Sequence, residues 1–499
     1  MDLPNEPPRR PWAAPALIAA AVAALLVYRA VAGRDEPALS PGMPVAGGSV
    51  LPPPSADLPA SVIVPPRCAE IGAEPFVIGE PPRKASAPRP AASAQPGGTG
   101  ADPLRDPLDD EPEDELAPFA VEIGRGAVLD GGFAAGVRRD AEGGALSMVA
   151  MIGIDGKDGR LVKLGRSRGD LDPPVVAGAG SAALAALVEP NAGGRAIKIA
   201  KIAGGEVTWG VELSEGRDES TALDLAASGA RGVVVWDDLG PSEKRSQILL
   251  ASFDLATLRS VTGARPVSSP RLDADSPRLV PRPGGYWLAY IARNEEKKAA
   301  PAANKPGGKP KKDPQRDLDR GREDDDETGE IVTTSWLEIL PLDENAAPAA
   351  EPRAVTPKNG NVLSFDLELA DDGAALLAFR DDDTPMGSSG GRISAVHVQL
   401  GGAIETHVLA EESLGAGVPD LLPGWLSVSG VSGVTKLAPV DGKGALTGPF
   451  APEQSLGQGE PIAATKEAIL LARPAGKAMR LSLMRCSTAR DPKPADPPK

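Results

Sequence analysis

Side chains able to do chemistry are few in this chain, and their spacing narrows what they could do. In 499 residues there are two histidines, His397 and His407, and two cysteines, Cys68 and Cys486. A zinc site draws three or four nitrogen and sulfur ligands together, so the inventory argues against one and against a thiol nucleophile. The histidines flank Gly401-Gly402. A two-residue hairpin turn there would pair 397 with 406 and 396 with 407, which sends the imidazoles to opposite faces of the sheet. No Gly-x-Ser-x-Gly elbow is present for a serine nucleophile. The glycine-rich run 387–391 lacks the lysine of a phosphate loop, and no Ser-x-Asp-x-Gly-x-Thr-Trp box occurs. No cofactor is expected.

Carboxylates are the remaining chemistry. Asp237-Asp238 and Asp381-Asp382-Asp383 each close an apolar strand, and Asp324–Glu327 and 109–115 are acidic runs. Strand direction predicts that these loops leave the molecule on one face. Asp237, Asp238, Asp381, Asp382 and Asp383 are thus the candidate acidic interaction face, suited to a basic protein partner or a divalent cation. Their alternative reading is ordinary solvated surface. None matches a calcium-loop spacing, and Asp155–Gly159 reads as a hairpin turn. Two carboxylates could also hydrolyse a glycoside, but the separation that chemistry needs is not written in the sequence.

These residues must be positioned by something, and composition says by what. Net charge is −16, which disfavours nucleic acid because such binding is built on Lys and Arg against phosphate. Aromatics are only 3%, too few for a base- or sugar-stacking platform. Residues 1–11 read as a cytoplasmic N-terminus. The stretch 12–32 is apolar apart from Arg29 and follows Arg9-Arg10, as expected of a transmembrane anchor with the arginines inside. Ala30-Val31-Ala32 offers the alternative of a cleaved signal. Residues 33–67 are a Pro/Ala-rich tether, 81–117 and 294–330 disordered insertions, and 487–499 a disordered tail. The folded part, 68–486, is expected outside the cytoplasm, in the periplasm or beyond, and secreted if the signal is cleaved.

Within 68–486 one apolar strand recurs about every 50 residues: near 133–137, then 182–188, 232–236, 286–291, 374–379, 426–429 and 468–471, each followed by a turn and a second strand. A period of this length with several strands per unit predicts an all-β, seven-bladed β-propeller. The last unit stops one strand short, and 75–79 is a strand without another partner, so the N-terminal strand is expected to close the ring. In an antiparallel blade the end of the third strand meets the start of the fourth, which brings Cys486 beside Cys68 and predicts a disulfide. The turns and strands of 275–290 and 368–379 resemble the repeats of TolB-like and WD40-like bacterial propellers. That resemblance implies the fold and assigns no activity. The sequence reading is therefore an envelope propeller that acts as a protein-interaction or scaffold module, favoured over an enzyme. Its alternative is a propeller hydrolase of glycans or peptides, with carboxylates near the central channel.

Overall fold

The computed structural model describes residues 66–79 and 121–487, apart from short connections and the longer stretch 298–330. The chain divides into two units, 1–61 and 62–499, and the described residues lie in the second. The apolar stretch 12–32, the acidic run 109–115 and Asp324–Glu327 fall outside them. No helix long and apolar enough to cross a membrane occurs among the described residues.

Seven antiparallel sheets follow one another along the chain. Their first strands are Val121–Leu129, Val175–Ala179, Leu223–Ser228, Asp273–Arg282, Val362–Leu369, Val418–Leu422 and Glu460–Ala464. First strands of successive sheets touch from the first sheet through the sixth, and those of the seventh and first also meet. Seven apolar clusters lie between the sheets, one at each interface, the last joining Leu422 and Trp425 to Ile469 and Leu471. Seven interfaces for seven sheets make a closed ring, a seven-bladed β-propeller with the first strands around its axis.

The recurrent strand is the second of each blade: Gly132–Ala141, Ala182–Asn191, Arg231–Leu239, Gly285–Lys297, Ala375–Asp381, Trp425–Ser429 and Ile469–Ala475. It is covered on both faces, which is why it reads as a continuous apolar run and not as an alternation. Where neighbouring blades approach closely, small residues take the positions. A Cβ on Gly136 would lie 1.7 Å from the Pro174 carbonyl oxygen, and one on Gly178 would lie 2.1 Å from that of Val128.

Closure uses the N-terminal strand, as the strand count requires. Arg67–Ile78 is the fourth strand of blade seven and pairs with the third, Ala478–Ser487. Cys68 is opposite Cys486 in register, and the two form a disulfide. The strand starts earlier than the expected 75–79, so Cys68 lies inside it and not ahead of it. A register shift between Ile71 and Phe76 loops residues 72–75 out and lets one strand span both parts. The expected tether thus ends before Arg67, and the second strand of blade four continues through Lys297, into what reads as an insertion from 294.

One register differs from expectation. His397 pairs with Glu405 and Ala395 with His407, because the connection runs from Gln399 to Ala403 with Gly401 and Gly402 both at positive φ. The longer loop slips the pairing by one residue, which moves side chains between faces. Both histidines consequently share a face, where a two-residue turn would have separated them.

Candidate functional site

Three of the sequence-predicted carboxylates turn inward. Asp237, Asp238 and Asp382 are buried, and Asp381 is half-buried. Asp237 accepts the Ala222 N–H at 2.5 Å and the Ser276 N–H at 3.3 Å, tying its blade to the next. Asp238 accepts from Leu239 N–H and Asp381 from Asn361 N–H. Asp382 takes two bonds of 2.6 Å from the Arg380 guanidinium. Asp237, Asp238 and Asp381 satisfy backbone donors at strand ends, and Asp382 pairs with an arginine, where an exposed acidic face was expected. Asp383 lies outside the described residues. His397 is buried with its Nε2 3.1 Å from Asp372, and the described residues contain no cluster of three or more His, Cys, Asp or Glu able to hold a metal.

A different set of carboxylates converges on the ring axis. Asp224, Asp366 and Asp420 each precede a leucine on the first strand of blades three, five and six; Arg278 precedes Leu279 on blade four, and Arg125 lies on blade one. Glu368 and Glu460 add two more acids, on blades five and seven. Arg125 Nη1 stands 2.7 Å from Asp366 Oδ1, and its Nη2 donates to Asp366 Oδ2 at 3.2 Å. Arg278 Nε approaches the same carboxylate at 3.9 Å. The backbone locks both anchors: Asp366 Oδ2 accepts the Leu421 N–H at 2.8 Å, and Asp224 Oδ2 accepts the Leu279 N–H at 2.7 Å. In each case a carboxylate on one blade holds the first strand of the next.

Two guanidinium groups thus meet five carboxylates near the axis, where partial burial strengthens their interaction. Burial pushes the Asp420 carboxyl up to about 7, with repulsion from Asp366 and Glu460 adding to it and Arg125 and Arg278 opposing. Burial also raises Glu368, Glu460 and Asp224, the last moderated by Arg278 and Arg125. Burial alone would lower Arg125, yet the combined attraction of Asp366, Asp224, Glu368 and Asp420 raises it.

Arg125, Asp224 and Glu368 line a channel cavity of about 310 Å³ with apolar walls from Leu225, Leu279 and Leu421. Asp420 precedes Leu421 on the same strand and is half-buried. A second cavity of about 380 Å³ shares Glu368, Leu369, Leu422 and Pro423 with it and runs past Trp425 and Lys466 to Cys486. Together they form a continuous depression from the axis to the disulfide face, with Glu368 at the junction. The missed signal was a repeated apolar-Asp-Leu step, Leu223-Asp224-Leu225, Phe365-Asp366-Leu367 and Pro419-Asp420-Leu421, one strand ahead of the conspicuous runs.

No family model and no curated protein sequence matches the chain. Among solved structures it is similar to the β-propeller domain of the Trilobed protease from Pyrococcus furiosus, at 9% identity over 76% of this chain and 99% of that one, with a TM-score of 0.42. It is also similar to a GH93 α-L-arabinofuranosidase of Fusarium graminearum, at 9% identity over 74% and 95%, TM-score 0.40. The polysaccharide lyase Uly1 aligns at 10% identity over 74% and 90%, TM-score 0.43. Likeness at this level is one of ring architecture, and chemistry is read from the residues of the channel.

Proposed function

We propose that the channel is a general acid–base centre and that the protein is a propeller hydrolase acting on glycans or peptides. The observation that carries the reading is that Glu368 and Asp420, both raised, neighbour the fixed Arg125–Asp366 pair at the wall of a concave cavity that Arg125 and Glu368 line. Buried carboxyls raised toward neutrality are the groups that can serve as general acid and base. Glu368, which faces the cavity, donates its proton to the leaving oxygen or nitrogen. Asp420, poised at about 7, takes the proton of the attacking water. The water oxygen bonds to the electrophilic carbon as the leaving group departs, and exchange with solvent returns both carboxyls to their starting states. The depression leading out past Trp425 gives an extended substrate room beyond the cleaved bond.

Hydrolysis assays on a panel of neutral and acidic polysaccharides and unstructured peptides test this. Glu368→Gln and Asp420→Asn should each lower the rate about 10²–10⁴-fold, the usual contribution of a positioned acid or base. Cleavage by the wild type that survives both substitutions, or no cleavage of any panel member, would reject it.

A second reading, the envelope protein-interaction module, is supported by one feature. The outermost strand of blade five, Ile404–Ala410, exposes Ile404 and Val408 beside exposed Leu400. Residue types there suit an apolar partner more than a basic one. In either reading we place the domain outside the cytoplasm, tethered through 12–32. The disulfide supports that location, because such bonds persist in oxidising compartments.

A further inference from the structure

The closing blade carries a second cavity, remote from the channel in its lining. Where residues 72–75 loop out, the ladder between the fourth and third strands is interrupted, and Ser482 lies between the register pairs Ile71–Leu483 and Phe76–Leu481. The gap is a cavity of about 280 Å³ lined by Arg473, Arg480, Ser482, Glu70, Phe76 and Gly156 among others. Arg473 and Arg480 are directly opposite one another in register on neighbouring strands. Like charges so placed repel, and among the described side chains no acid other than Glu70 pairs with either. Glu70 Oε2 reaches Arg473 only at 3.8 Å, and Arg473 Nη2 contacts the Met484 sulfur at 3.3 Å. Arg473 Nε and Ser482 Oγ are buried without a hydrogen-bond partner. Arg480 is exposed and has no ion pair among the described residues.

We infer that this window binds a compact oxyanion, a phosphate or sulfate group, held by the Arg473–Arg480 pair and the Ser482 hydroxyl. Two cations and two unused donors converge on a space the size of a small ligand, in a protein whose net charge of −16 otherwise repels anions. An anion there satisfies the donors and relieves the arginine repulsion, while Glu70 at the rim weakens it. The inference is independent of the channel chemistry.

Isothermal titration of the full chain at low ionic strength with inorganic phosphate, inorganic sulfate and a monosaccharide phosphate tests it. Saturable binding is expected, weakened about 10-fold or more by Arg480→Gln and by Ser482→Ala, since each removes a donor to a charged acceptor. Glu70→Gln should tighten it. Preference for the sugar phosphate over inorganic phosphate would identify the ligand as an ester, and equal binding a free ion. Arg480 is exposed, so its variant keeps the fold, whereas Arg473 packs against Gly459 and is left intact. No saturable binding of any of the three anions, or binding unchanged in Arg480→Gln and Ser482→Ala, would overturn the assignment.

Discussion

Asp420 makes two opposing demands on the protein, and both are measurable. Its folded-state titration near 7 lies above the ordinary aspartate value of 3.8, so between these limits the native state holds a proton that the unfolded chain has lost. Stability should therefore fall as pH rises from about 4 to about 7 and level off above, because the unfolded state binds fewer protons in that window. Activity should move the other way, rising through about 7 as the base is unmasked. Melting temperatures across pH 4–8 should show a flatter slope in Asp420→Asn, and an unchanged slope would remove Asp420 as its source. Asp366 has a different role. Replacing it with Asn removes the counter-charge of Arg125 and should cost roughly 1–3 kcal/mol, below the value for a fully buried pair because the Arg125 side chain is 38% exposed. The belt was partly legible: three Asp-Leu steps recur at one strand position. Their convergence was not, since it depends on ring closure bringing blades one and six within reach of each other.

At the scale of strands, small residues mark where blades approach most closely. Gly136→Ala would drive a methyl group into the Pro174 carbonyl oxygen and should destabilise by about 1–3 kcal/mol or more, read as a lower urea midpoint with an unchanged slope. Gly131, with open space around it, accepts no such test, because its positive φ of 88° strains any side chain regardless of room. Second strands were legible because burial on both faces leaves an uninterrupted apolar run. First strands, and fourth strands other than the closing one, were not, being short, mixed in polarity or interrupted by bulges. The histidine hairpin illustrates the limit: Gly401-Gly402 announced a turn, but its length was set by how Gln399 and Ala403 pair, and one residue decided the face.

Over the whole molecule the ring is held by one strand and one covalent bond from the far end of the chain. Removing residues 1–65 should leave the propeller folded. Removing 1–79 strips Arg67–Ile78 and exposes the edge of Ala478–Ser487, which should give aggregation in size-exclusion chromatography. The disulfide closes a separation of 418 residues, worth up to about 6 kcal/mol in the chain-entropy model and about 2–5 in practice. Cys68→Ser should accordingly lower the melting temperature and raise hydrogen exchange in Arg67–Ile78 more than elsewhere. Uniform exchange across the blades would show that the strand is held without it.

By itself the sequence determined the repeat, the blade number, the closing strand and the partner of Cys68, because each follows from local periodicity and strand direction. It also determined that Asp237, Asp238 and Asp382 would end strands, though not that they would turn inward. Only the tertiary structure decided which carboxylates matter. Asp366 and Asp420 are 54 residues apart by their numbers, and Arg125 is further still from both. Closing the ring sets them around one axis, and burial there raises the Asp420 carboxyl.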